Sequence, residues 1–199
     1  MNAIFLSASV PSRERAYYET AEPFLIQAAV RELVMALRGK YRLVLGGHPA
    51  ITPMVRSICE DVGADCSDSV VLYQSKFFED QFPDENERFK NVVHIDAVPG
   101  ARESSLRRMR LAMLSREDLG AAVFIGGMEG IREEYLTFRQ LHPHAKVLSI
   151  AAPGGAARDL SVVDHMGAGV EELEDVNFAA LFYRELRLED DDEAQKSPY

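Results

Sequence analysis

Tryptophan is absent from this 199-residue chain, and cysteine occurs only twice, as Cys59 and Cys66. Two thiols so far apart fit neither a zinc ribbon nor a CxxC redox motif, and they read as structural thiols in a reducing compartment. No apolar run approaches the ~20 residues that a membrane-spanning helix needs. The opening MNAIFLSASV lacks the basic segment and long apolar stretch of a signal peptide, so a cytoplasmic protein is expected. An excess of positive charge is missing as well. Lys and Arg number 22 against 32 Asp and Glu, a formal net charge of −10, which argues against nucleic acid or anionic membrane as partners.

What is present is alternation. Short β-rich runs lie at 3–9, 42–47, 69–75, 92–96, 121–127 and 146–152. Most are continuously apolar, as strands buried on both faces of a parallel sheet must be. Helical patterns fall between and after them, at 23–38, 51–62, 103–115, 130–141, 156–166 and 176–187. This order predicts an α/β fold, Rossmann-like and doubly wound, with a mainly parallel sheet and helices on both faces. One domain is expected over 1–188, followed by a solvated acidic tail at 189–199. The irregular segment 77–91 reads as a lid or a short helix pair.

Ligands of such sheets bind beyond the carboxyl ends of the strands, near the point where strand order reverses. Three of those ends carry glycine pairs: Gly46-Gly47, Gly126-Gly127 and Gly154-Gly155. LGGHPAIT has the makings of a phosphate-binding loop, with Gly46, Gly47, His48 and Thr52 around an anion and Thr52 capping a helix. It is neither a Walker A loop nor GxGxxG, so neither nucleoside triphosphatase nor nicotinamide-oxidoreductase chemistry is implied, and no cofactor is expected. Ser7 and Ser9 end the first strand and can reach a phosphate or base. Glu129 and Gly130 follow the second glycine pair. Tyr73 and Gln74 stand at another strand end, where a base contact is open. The HPH at 142–144 has no acid cluster nearby, and no metal site is expected.

Helical phase separates two neighbouring acids. With ~100° per residue, Ile131, Tyr135, Phe138 and Leu141 share an apolar face. Glu134 falls on that face and Glu133 points away. A carboxylate on a buried face is costly unless paired. On the preceding helix Arg110 lies within the face marked by Leu106, Met109, Met113 and Leu114, while Arg107 and Arg108 lie outside it. The pair is a candidate catalytic constellation, an ion pair of purely structural purpose, or a snorkelling arginine beside a capped acid.

SLRRMRLAML followed by AAVFIGGMEGIREEY resembles the central motif of the Lonely Guy phosphoribohydrolases, once called lysine decarboxylases, within the SLOG superfamily. Their arginine-bearing helix precedes a strand ending PGGxGTxxE. With the glycine pairs aligned, Arg110 and Glu134 match the motif arginine and glutamate, while Ile131 stands where those enzymes carry threonine. SIAAPGGAAR resembles the last glycine-rich strand end of prokaryotic SLOG members. The resemblance implies a Rossmann-like core, a homodimer and a nucleotide-derived ligand, and whether a separately encoded effector is a further partner stays open. Three functions stay open: binding or sensing of a nucleotide, NAD or ADP-ribose-like ligand; an N-glycosidase using Glu134 and Arg110; and a non-catalytic assembly protein.

Overall fold

Residues Ala3–Ser9 form β1, buried along almost its whole length, and the remaining strands assemble around it. The computed structural model describes residues 3–37, 39–83, 86, 88–164 and 175–188. The other strands are β2 (Arg42–Gly46), β3 (Val70–Ser75), β4 (Asn91–Ile95), β5 (Leu119–Gly126) and β6 (Lys146–Ile150). The helices are α1 (Pro23–Leu37), α2 (Thr52–Val62), α3 (Ala64–Ser69), α4 (Arg102–Leu114), α5 (Glu129–Leu141), α6 (Gly155–Asp164) and α7 (Phe178–Leu186).

The sheet runs β4-β3-β2-β1-β5-β6, and every neighbouring pair is parallel. The chain therefore builds outward from β1 to β4, then crosses back to start β5 on the other side of β1. That reversal puts a crevice at the carboxyl ends of β1 and β5. Side chains alternate between two cores. Ile4, Leu6, Leu43, Leu45, Val123 and Ile125 meet α1, α2 and α7 on one face. Ala3, Phe5, Val44, Ala122 and Phe124 meet α4, α5 and α6 on the other. The doubly wound α/β expectation holds. Parallel strands need such crossover helices, and right-handed crossovers on either side of β1 place them on both faces.

Several local expectations are corrected. The short helix α3 falls where the sequence pattern offered none, because ADCSDS has too few apolar residues to show a helical period. Leu141, placed on the apolar face of α5, is 41% exposed, as the final residue of the helix. Ile51, not Thr52, is the N-cap of α2. Segment 77–91 contributes most of a pair of short 3₁₀ turns within Lys76–Gln81, joined across a kink at Phe78, and the start of β4, in keeping with the helix-pair reading. Residues 165–166 and the acidic tail lie outside the described residues. Cys59 and Cys66 are both free thiols, joined by no disulfide and buried where α2 and α3 meet the core. No described helix is long and apolar enough to cross a membrane.

Candidate functional site

The side chains of β1 alternate, so Ala3, Phe5 and Ser7 look toward α4 and α5. Helix α5 starts directly after the glycine turn of β5, which carries its second turn across the end of β1. There the Ser7 hydroxyl donates to Glu134 Oε2 at 2.5 Å. Arg110, from α4, donates through Nε to Glu134 Oε1 at 3.2 Å. Both oxygens of one carboxylate are thus held from two different elements. The Glu134 and Arg110 side chains are only 15% and 17% exposed. Burial pushes the Glu134 carboxyl above its usual range, and the Ser7 bond and Arg110 oppose that rise.

Glu133 does not point away as its phase suggests. Its side chain is 60% exposed, yet it reaches Arg110 Nη1 at 2.5 Å. Phase fixes where a side chain leaves the helix, while a three-carbon stem can still bend toward a cation one helix away. One guanidinium therefore serves two carboxylates. Arg110 also lies against Gly130, where an added Cβ would sit 2.7 Å from Nη2. Glycine at this position leaves room for the arginine.

The glycine pairs have internal partners. At Gly127, φ is +81°, and a side chain there would overlap Ile131. Ile131 itself is 4% exposed and packs in the core, with no hydroxyl to offer. The Gly127 N–H donates to the Ser9 carbonyl, and the Ala156 N–H to the Gly127 carbonyl. A Cβ on Gly155 would stand 2.5 Å from the Gly126 carbonyl carbon. Three strand ends are knitted together by these approaches, which a sequence pattern cannot distinguish from approach to a ligand.

The LGGHPAIT loop spends its donors on itself. Gly47 N–H donates to the Tyr73 carbonyl, and both Ile51 and Thr52 N–H to the His48 carbonyl. His48 N–H donates to Thr52 Oγ1 at 2.9 Å, and Ala50 N–H to His48 Nδ1 at 3.2 Å. Pro49 has no N–H to give. Every backbone donor from 47 to 52 is engaged, so a phosphate cradle at Gly46, Gly47, His48 and Thr52 would rest on the Thr52 hydroxyl and His48 Nε2 rather than on the backbone. Burial lowers the His48 pKa, which keeps the ring neutral as the acceptor it is here. By contrast, α5 begins at Met128 without a side-chain cap. Glu129 stands exposed in its first turn, with no contact that brings it to Glu134.

Tyr73 packs in the core beneath α4 and receives a hydrogen bond from Arg116 at 3.4 Å, away from the cluster. Gln74 is buried and pairs with His94 at 3.3 Å. His142 Nε2 lies 2.7 Å from the Leu114 carbonyl and ties the ends of α4 and α5 together. Among the described residues, no group of three His, Cys, Asp or Glu side chains could hold a metal ion.

One group escaped the sequence reading. The strap between β1 and α1 crosses the edge of the sheet, and Tyr17 on it adopts a left-handed conformation with φ +68°. Its hydroxyl accepts from Arg132 Nε and Nη2 at 3.1 and 2.8 Å and donates to Asp159 at 3.0 Å, while Arg132 also pairs with Asp159. Beside it, the Thr20 carbonyl fills the place a side chain would take at Gly154, and Glu22 N–H bonds to the Pro153 carbonyl. Gly154 thus supports the strap. No local signal marks this contact, because its partners are more than a hundred residues apart in sequence.

A family model described as the SLOG cluster3 family matches residues 16–186. The X-ray structure of TM1055, a Northeast Structural Genomics Consortium target, is similar at a TM-score of 0.60, with 15% identity over 92% of this chain and 99% of that one. At that identity the likeness speaks for the fold. No curated protein matches the chain significantly.

Proposed function

Because this chain belongs to the SLOG cluster3 family, we propose that it binds or senses a nucleotide-derived ligand, of the nucleotide, NAD or ADP-ribose kind, at the carboxyl edge of its sheet. The observation that carries this reading is the buried Ser7–Glu134–Arg110 cluster beside the point where strand order reverses. Two acids share one guanidinium and burial raises the Glu134 pKa, so the cluster leaves no spare positive charge for an anion. That balance suits ribose hydroxyls or a cationic ring better than a phosphate. The anionic end of the ligand fits the uncapped start of α5, where first-turn N–H groups and the helix dipole favour negative charge.

Thermal-shift measurements with nucleoside monophosphates, NAD and ADP-ribose test this directly. Stabilisation by one of them, lost in Glu134→Gln, is the expected result. No shift across the panel would leave the assembly-protein reading standing instead.

A second reading is favoured by the burial of Glu134. A carboxylate held in a low-dielectric site stabilises an oxocarbenium-like centre better than one in water, which is what cleavage of an N-glycosidic bond requires. Chromatography of the same mixtures separates the two: base release marks an N-glycosidase, and a shift without release marks a sensor. Ile131, which offers no hydroxyl to a phosphate, favours the sensor. The homodimer rests on family resemblance, and light scattering of the pure protein tests it.

A further inference from the structure

Ser7 sits at a position that the packing of β1 would assign to an apolar residue. Phe5, two residues earlier on the same face, is fully buried, and Ser7 is 4% exposed at the centre of the sheet, paired with Phe124 of β5. A buried hydroxyl is costly unless bonded, and its partner here is a carboxylate 127 residues away at 2.5 Å. We propose that Ser7 is the positioning residue of Glu134, fixing its Oε2 from the rigid strand while Arg110 holds Oε1, so that the carboxyl group is kept in one orientation as an acceptor. The proposal rests on the reading of Glu134 as a ligand-facing group and adds to it the element that aims it.

The charged groups facing Glu134 are Arg110 of α4 and Glu133 of α5, and they partly cancel. Burial favours the neutral carboxyl, the Ser7 bond and Arg110 both oppose it, and the Arg110 guanidinium is divided between two acids. An arginine at the end of a long side chain can follow either acid. A hydroxyl on the central strand cannot move, which makes it the fixed reference for the group.

The test is an infrared pH titration of the free protein, following the protonated-carboxyl stretch that disappears in Glu134→Gln. In Ser7→Ala the midpoint of that band is expected to move to higher pH, and in Ser7→Thr, which keeps the hydroxyl, it is expected to return toward the parent value. An unchanged midpoint in folded Ser7→Ala, or no recovery in folded Ser7→Thr, overturns the proposal. Should Ser7→Ala not fold, Ser7→Cys replaces it. Its weak donor is expected to give the same upward shift, and an unmoved midpoint there overturns the proposal equally. The titration needs no ligand. A failed nucleotide panel with a shifted midpoint would sink the binding reading alone, and a successful panel with an unmoved midpoint would sink the role of Ser7 alone.

Discussion

Glu134 is stabilised by its partners and destabilised by its burial, and the balance has a sign that can be measured. Its folded-state pKa lies above the ordinary 4.5 because desolvation is the largest effect on it. A group of this kind favours the folded state below the unfolded value and loses that contribution as pH rises through the folded one. Parent protein is therefore expected to gain stability relative to Glu134→Gln as pH falls from neutral toward 4.5. Denaturation curves across that range check it, and a gain in the opposite direction would mean that Arg110 and Ser7 outweigh burial. Helical phase alone singled out Glu134 and, on the preceding helix, Arg110. It missed Glu133, because phase says nothing of where a flexible stem ends.

At the scale of elements, the turn from β5 into α5 positions the whole cluster. Gly127 has positive φ and no room for a side chain, so Gly127→Ala combines backbone strain with overlap on Ile131. A loss of about 2–4 kcal/mol is expected by chemical denaturation, with strain contributing ~1–2 and overpacking the rest. The strap over the edge is held differently. Tyr17→Phe removes a hydroxyl that makes three hydrogen bonds, two to Arg132 and one to Asp159, at a half-exposed site, so stability should fall by only about 0.5–1.5 kcal/mol. Amide exchange in residues 11–20 should nevertheless quicken well beyond that of β1, and equal protection in both would show that the strap is held by other contacts. The glycine pairs were visible in the sequence as turns. Their neighbours were not, since Gly154 meets Thr20 and Gly155 meets Gly126 only after the sheet has assembled.

For the molecule as a whole, both cores share the same six strands, so neither can melt alone while the sheet persists. Far-ultraviolet circular dichroism and tyrosine fluorescence, the natural probe in a chain without tryptophan, should report one coincident unfolding transition. Two separated transitions would contradict a single domain. Alternation of apolar runs with helical periods was enough to determine the α/β class and the parallel sheet, because burial of strands on both faces demands that pattern locally. It also narrowed the candidate acid to Glu134, because 3.6-residue periodicity is a property of the helix itself. Strand order was decided only in three dimensions, and with it the meeting of Ser7, Glu134 and Arg110, the engaged donors of the loop after β2, and the Tyr17 strap. These contacts join residues far apart in the chain, and no local pattern encodes which strand end faces which helix.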